Sequence, residues 1–551
     1  MKNKQFDLHR IAGALLLPLI MASGHAASPG AKANGNEPWV ADLGDGRYKN
    51  PVLHADYSDP DAIRVGDTYY MTSSSFNSAP GLPLLESKDM VNWELVGHAL
   101  PRQVPLEHFA RARHGDGVWA PCLRYHDGKF WIFSPDPDFG VYVVTAEKFE
   151  GPWSEPHLLL PGKGIIDPTP LWDDDGKAYL LHGWAKSRAG INNLLTLRRM
   201  APDASRLLDS EGKTVIDGNK IANYRTLEGP KFYKANGWYY VFAPAGGVED
   251  GWQAVFRSRS VEGPYEVRTV MDKGKTPING PHQGAWVRAQ DGSDWFIHFQ
   301  DKGAYGRVVH LQPMRWVDGW PVIGEDGPTS GIGQPVLTYK KPVAGFPAKV
   351  PATSDEFDGR TLGLQWQWNA NSDPRWFSLT ERPGMLRLRT QVVPEANGYV
   401  RAAPSILSQK LPAPVFVVNT HVQLNDANEG DRAGLIINAM QYAWLGLRKS
   451  GGATQLVYTT CTPAKVRCTE ASTVVLPQAP SSLYLRMNMA EGANASFSYS
   501  TDNVHFTPAG QPLKISKGRW VGAQMGLFSV GEQPGTRPSS LNVDYFRVTA
   551  R

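Results

Sequence analysis

Residues 56–335 repeat one pattern five times, and that repetition constrains the fold more than any other feature of the chain. Each copy runs from a polar or aromatic residue through a Pro or Gly and an apolar stretch to a tight turn, then into an aromatic-rich strand. The copies read DPDAIRVGDTYYMTSS from Asp59, WAPCLRYHDGKFWIFSP from Trp119, DPTPLWDDDGKAYLLHG from Asp167, EGPKFYKANGWYYVFAP from Glu228 and HQGAWVRAQDGSDWFIHFQ from His282. The leading residue precedes the first aromatic after the turn by 10, 11, 12, 10 and 13 positions. Gly66-Asp67, Asp127-Gly128, Asp175-Gly176, Asn236-Gly237 and Asp291-Gly292 mark the turns, a strong hairpin signal between apolar runs. Copies begin every 48–61 residues, which suits a four-stranded propeller blade with its loops. Five blades closed in a ring leave only short, protected edges. A β-sandwich with look-alike hairpins is the alternative, and five matching turns argue against it. The first strand of a blade lines the axis, so Asp59, Trp119, Asp167, Glu228 and His282 are expected at one mouth of the channel.

Three of those five residues are acids. Like charges oppose one another's ionisation, so such a gathering points to chemistry or to a metal. Hydrolysis of a glycosidic bond uses a pair of carboxyl groups, one protonating the leaving oxygen and one activating water or attacking the sugar. A third acid can tune the proton donor. Trp119, Phe76, Phe139 and Trp184 are candidates to stack on sugar rings, with core packing as the alternative for each. Asp173, Asp174 and Asp175 read as a solvated turn, although three acids in a row also suggest calcium. Glu249 and Asp250 read as loop residues.

The triplets Ser58-Asp59-Pro60, Ile166-Asp167-Pro168 and Glu228-Gly229-Pro230 resemble the catalytic motifs of glycoside hydrolase family 43. Trp119-Ala120-Pro121, the segment SSSFNSAPGLPLLESKDMVNWELVGHAL, His282-Gln283-Gly284 and Tyr305-Gly306-Arg307 add to the likeness. Together they resemble the β-xylosidase and α-L-arabinofuranosidase branch, over roughly residues 48–340. The resemblance implies a five-bladed propeller and an inverting hydrolase. It implies Asp59 as general base, Glu228 as general acid and Asp167 as the residue that tunes and orients Glu228. It gives Arg307 a role on substrate hydroxyls and makes His282 an axial residue near an ion or water. No cofactor is implied as required, and a structural calcium ion is left open.

The first 26 residues read as an export signal. Lys2, Lys4 and Arg10 precede the apolar run Ile11 to Ala22, and small residues follow to Ala27. Twelve residues are too few to span a bilayer. The expected compartment is periplasmic or extracellular, with no membrane insertion of the mature chain. The chain has 57 basic and 53 acidic residues, a near balance that does not suit a nucleic-acid partner. In an oxidising compartment Cys461 and Cys468 are expected to pair across a hairpin, two free thiols being the alternative, and Cys122 to be a small buried residue.

Residues 27–47 are expected as an extension, 48–340 as the propeller and 341–354 as a Pro- and Lys-rich linker. Residues 355–551 lack the blade repeat. Their short alternating strands, such as Met385–Arg389 and Tyr484–Met487, point to a jelly-roll-like β-sandwich. It resembles the concanavalin-like domain appended to the same branch, which packs on the catalytic domain and can lend an aromatic to the pocket. The chain is thus expected to be all-β and to release β-D-xylose, α-L-arabinose or both from xylan- or arabinoxylan-derived oligosaccharides. An endo-acting arabinanase or xylanase, and a non-catalytic sugar-binding propeller, are the alternatives. Oligomeric state is left open.

Overall fold

A computed structural model describes residues 35–393, 399–463 and 468–551. The expected export signal lies outside them. Five antiparallel blades of four consecutive strands follow one another along the chain, the fourth extended by Gly333–Gln334, which pairs parallel to it, and Glu325–Asp326. The first comprises Asp61–Val65, Thr68–Thr72, Gly81–Ser87 and Trp93–Leu100. The others begin with Cys122–His126, Ile165–Trp172, Lys231–Ala235 and His282–Arg288. The chain is a five-bladed β-propeller followed by a β-sandwich, as its repeat and its change of pattern predict.

Local chemistry sets the blade hairpins. Asp127 (φ 49°) with Gly128 (φ 73°), and Asn236 (φ 51°) with Gly237 (φ 73°), occupy left-handed backbone at both central turn positions. That geometry matches the twist of the flanking strands and favours Asp/Asn followed by Gly. The blades pack through apolar faces. Between the second and third blades lie Cys122, Phe133, Val143, Leu180 and Met200, all buried.

The ring is closed at the two ends of the propeller segment. Arg47–Lys49 pairs antiparallel with Thr338–Lys340, and Leu53 bridges Val309 of the fifth blade. The Asn50 side chain donates to the carbonyls of Leu311 and Val336 at 2.8 and 2.9 Å. Residues expected as an extension are therefore structural: Ala41 is buried, and the ammonium of Lys341 pairs with Asp42 at 2.6 Å and Asp89 at 2.9 Å. The linker is likewise tied down where Lys349 pairs with Glu94 at 2.6 Å.

The sandwich stacks two sheets. One contains Arg432–Asn438, Tyr442–Ser450 and Gln524–Gly531; the other contains Phe416–Asn425, Ser482–Ala490 and Ser540–Thr549. Residues alternate between buried and half-buried along the whole of Phe416–Asn425, the period-2 pattern of a sheet with one face in a core. That core continues into the propeller through Ala304, Tyr305 and Val308. Cys461, in the strand Ala453–Pro463, is disulfide-bonded; the side chain of its expected partner Cys468 lies outside the described residues.

Candidate active site

The axial strands carry a backbone signature that aligns the blades more finely than the sequence does. Asp59 (φ 54°), Asp167 (φ 54°), Gly229 (φ 59°) and Gln283 (φ 41°) all adopt left-handed backbone at the start of their blades. Asp59, Asp167 and Gly229 each precede a proline. Glu228 is thus not the counterpart of the two aspartates; it stands one residue earlier, level with Ser58, Ile166 and His282. Gly229 holds the aspartate position because a side chain there would collide with Gln283, 2.3 Å from the nearest atom. Its N–H instead donates to Asp167 Oδ2 at 2.7 Å.

Asp59, Asp167, Glu228 and Arg307 share the wall of a cavity of about 270 Å³. Phe76, Trp119, Ile166, Thr226, Val248 and Gln283 are among the other propeller residues of that wall. The sequence-predicted acids, 169 positions apart from first to last, therefore do converge.

Their environments differ. Asp59 Oδ2 accepts from the hydroxyls of Ser58 and Ser74 at 2.7 and 2.6 Å. Arg307 Nη1 reaches both Asp59 oxygens at 3.0 and 3.1 Å and Ser58 Oγ at 2.8 Å. Asp59 thus sits in an ion pair with Arg307. Burial pushes Asp167 above the usual carboxylate range, its hydrogen bond from Gly229 opposing this and the Asp59 charge adding to it. Glu228 is pushed up more strongly, first by desolvation and then by the Asp167 carboxylate beside it. A quarter of the Glu228 side chain faces the cavity, so its proton is held next to space a ligand can enter.

His282 is fully buried with its Nε2 3.6 Å from Glu228 Oε1. It lies behind that carboxyl rather than on the cavity wall. Burial and the nearby Arg307 charge lower its pKa to about 3, so the ring is neutral. Neither ring nitrogen has a hydrogen-bond partner. Calcium takes six to eight oxygen ligands, and among the described residues no three His, Cys, Asp or Glu are grouped to hold a metal. The Asp173–Asp175 turn is bound up with Lys234, Tyr239 and Lys177.

Two expected aromatics sit elsewhere. Trp184 ends the second strand of the third blade, one strand away from the axis, and its indole N–H donates to Thr196 Oγ1 at 2.9 Å. Its ring packs with the core between blades two and three. Phe139 packs edge-on against His108, 5.1 Å between centroids. The aromatic that sequence reasoning missed is Trp520, from the sandwich. It lines the cavity and meets Trp119 edge-to-face at 5.8 Å.

Residues 517–523 strap the sandwich over the propeller mouth. Lys517 pairs with Glu249 at 2.8 Å and Asp301 at 3.3 Å. The buried Asp56 carboxylate accepts from Gly522 N at 2.8 Å and from Arg307 N at 2.9 Å. One acid thereby ties the strap to the residue that holds Asp59.

Comparison with known proteins agrees with this arrangement. Residues 48–321 match the model for glycosyl hydrolases family 43, and 354–549 match the beta xylosidase C-terminal concanavalin A-like domain. A beta-xylosidase of Formosa agariphila is 35% identical over 92% of this chain and 90% of its own. This chain belongs to glycosyl hydrolases family 43. Within the family, a non-reducing end alpha-L-arabinofuranosidase of Bacteroides ovatus is 32% identical over 73% of this chain and 76% of its own. The crystal structure of a xylan beta-1,4-xylosidase from Bacillus halodurans superposes with a TM-score of 0.79 at 25% identity, over 91% of this chain and 99% of the other. The protein is a glycosidase.

Proposed function

We propose that this glycosidase removes terminal β-D-xylose, α-L-arabinose or both from xylan- or arabinoxylan-derived oligosaccharides, with inversion at the anomeric carbon. The observation that carries the reading is the pair of unlike carboxyls in one cavity: Asp59 engaged in an ion pair, Glu228 biased toward its protonated form.

In this mechanism Glu228 gives its proton to the glycosidic oxygen as the C–O bond breaks. Asp59 takes a proton from the water that attacks the anomeric carbon from the opposite face. The leaving alcohol departs neutral, the sugar gains the hydroxyl, and Asp59 and Glu228 exchange protons with solvent to restore the starting state. Hydrolysis balances with water alone. Asp167 keeps Glu228 protonated by like-charge repulsion, and Arg307 orients Asp59 while facing substrate hydroxyls. Phe76, Trp119 and Trp520 offer rings to the apolar faces of the sugar.

Exo action is favoured because the strap brings Trp520 onto Trp119 at the cavity, which suits a chain end better than a continuous polysaccharide. The names of the Formosa and Bacteroides relatives cover both pentoses, which supports a pocket that accepts either. The test is hydrolysis of chromogenic β-xyloside and α-arabinofuranoside, with the first-formed anomer followed by NMR. Cleavage of at least one with inversion is expected; no cleavage of either or of arabinoxylan oligosaccharides defeats the exo reading, and retention defeats Asp59 as base. Export is tested by N-terminal sequencing of the mature protein, expected to begin near residue 27.

A further inference from the structure

The aromatic side of the cavity is held by a residue from a neighbouring blade. Arg188 lies in the single-turn helix Lys186–Ala189, which follows the second strand of the third blade. Its side chain is 13% exposed. Nη2 donates to Asp116 Oδ1 at 2.9 Å, and Nε donates to Asp138 Oδ1 at 3.1 Å. Nη2 also reaches Asp138 Oδ2 at 3.3 Å, so that carboxylate is gripped at both oxygens. The guanidinium carbon lies over the Trp119 ring, 5.7 Å from its centroid. One side chain of the third blade thus touches two loops and the leading aromatic of the second.

The acids it holds are wired to the aromatics. Asp116 follows Gly115, whose carbonyl accepts from the Trp119 indole N–H at 3.0 Å. Two residues after Asp116, Val118 exchanges backbone hydrogen bonds with Phe76 at 2.8 and 3.1 Å. Asp138 N donates to Oδ1 of the buried Asp136 at 2.9 Å. Next to Asp136 in the same strand, the Pro135 carbonyl accepts from Trp119 N at 3.0 Å. Trp119 is therefore fixed from both sides of the clamp, at its indole and at its backbone. Without the shared cation, the Asp116 and Asp138 charges repel and part the loops that carry them. A guanidinium suits this place better than an ammonium, because its planar fork matches a carboxylate while its face stacks on a ring.

We infer that Arg188 is a positioning residue for substrate binding: it sets the Trp119 ring, and Phe76 at 6.2 Å from it, in the orientation that meets the sugar. This rests on the role given above to Trp119 as a sugar platform. The polar partners of Arg188 are Asp116, Asp138 and Ser187, none of them an acid of the mechanism, so its effect belongs to binding and not to proton transfer.

The test measures KM and kcat for Arg188→Met, Trp119→Ala and the double variant on an alkyl β-xyloside or α-arabinofuranoside, whose slow chemistry lets KM follow binding. Arg188→Met should raise KM about three- to tenfold, the range of a cation–π contact and the ring order it maintains, and leave kcat within about twofold. Trp119→Ala should raise KM about tenfold, and adding Arg188→Met to it should cost less than about twofold more, because the two act through one ring. An unchanged KM, a loss confined to kcat, or an Arg188→Met penalty as large beside Trp119→Ala as in wild type would overturn the inference, since general loosening of the fold does not depend on the residue at 119. If Arg188→Met does not fold, Asp116→Ala takes its place with the same expected pattern, and an unmoved KM there overturns the inference. A wild-type KM in Trp119→Ala itself defeats the underlying platform reading instead.

Discussion

The floor and the roof of the cavity are built on different principles. The floor comes from blade starts that repeat, and its two aspartates are fixed by hydrogen bonds from neighbours: Ser58 and Ser74 on Asp59, Gly229 on Asp167. The roof comes from one strap of a separate domain, held by Lys517, Gly522 and the buried Asp56. Chemistry that must be held to fractions of an ångström sits on the axial strands of the ring. The contacts proposed to sort substrates by shape sit on a loop, where change costs the scaffold least.

Mutations should separate the two. The largest effect is expected at the floor: Glu228→Ala or Asp59→Ala should cut kcat by about 10²–10⁴, the usual contribution of a general acid or base. A steady-state assay on a substrate with an unactivated leaving group giving more than a tenth of wild-type kcat in either variant would return that residue to a structural role. At the roof, Trp520→Ala should raise KM roughly tenfold, equivalent to about 1.4 kcal/mol, with kcat little changed. Should kcat fall and KM hold, Trp520 would belong with the chemistry, and the division between floor and roof would fail.

A smaller effect concerns stability. Glu228 and Asp167 have folded-state pKa values raised by burial and repulsion. A raised carboxyl binds more protons folded than unfolded, so its contribution becomes more unfavourable as pH rises from the ordinary carboxylate range through the folded-state value. Glu228→Gln should therefore melt higher than wild type near pH 8 and about level with it near pH 4. Calorimetry showing no pH dependence in that difference would contradict the environment described for Glu228. The smallest effect is expected at Trp184→Phe, which leaves the cavity untouched: kcat/KM within about twofold, and about 1 kcal/mol of stability lost with the Thr196 hydrogen bond.

The floor was legible in the sequence because its signals are local. A turn dipeptide, a proline after an acid and an aromatic strand lie within about twenty residues of one another, and recur. The one-residue offset of Glu228 was not legible, since loop lengths between blades vary and only φ shows that Gly229, not Glu228, aligns with Asp59 and Asp167. For Trp184, a candidate sugar platform with core packing as the alternative, the alternative holds: its strand is the second from the axis, so its ring turns into the packing between blades. Trp520 carries no local mark at all. Its place depends on how two domains dock, which rests on contacts such as Gly522 to Asp56, 466 positions apart. The closing strand Arg47–Lys49 is three residues long, too short for any periodicity to register.

The central claim is that Glu228 supplies the proton to the leaving group. It is tested most directly by measuring Glu228→Ala on two pentosides that differ only in the leaving group, an activated nitrophenol and a simple alkyl alcohol. The nitrophenolate departs without a proton, so the loss relative to wild type should be far smaller on that substrate than on the alkyl one. Equal losses on both would mean that Glu228 does not act as the acid.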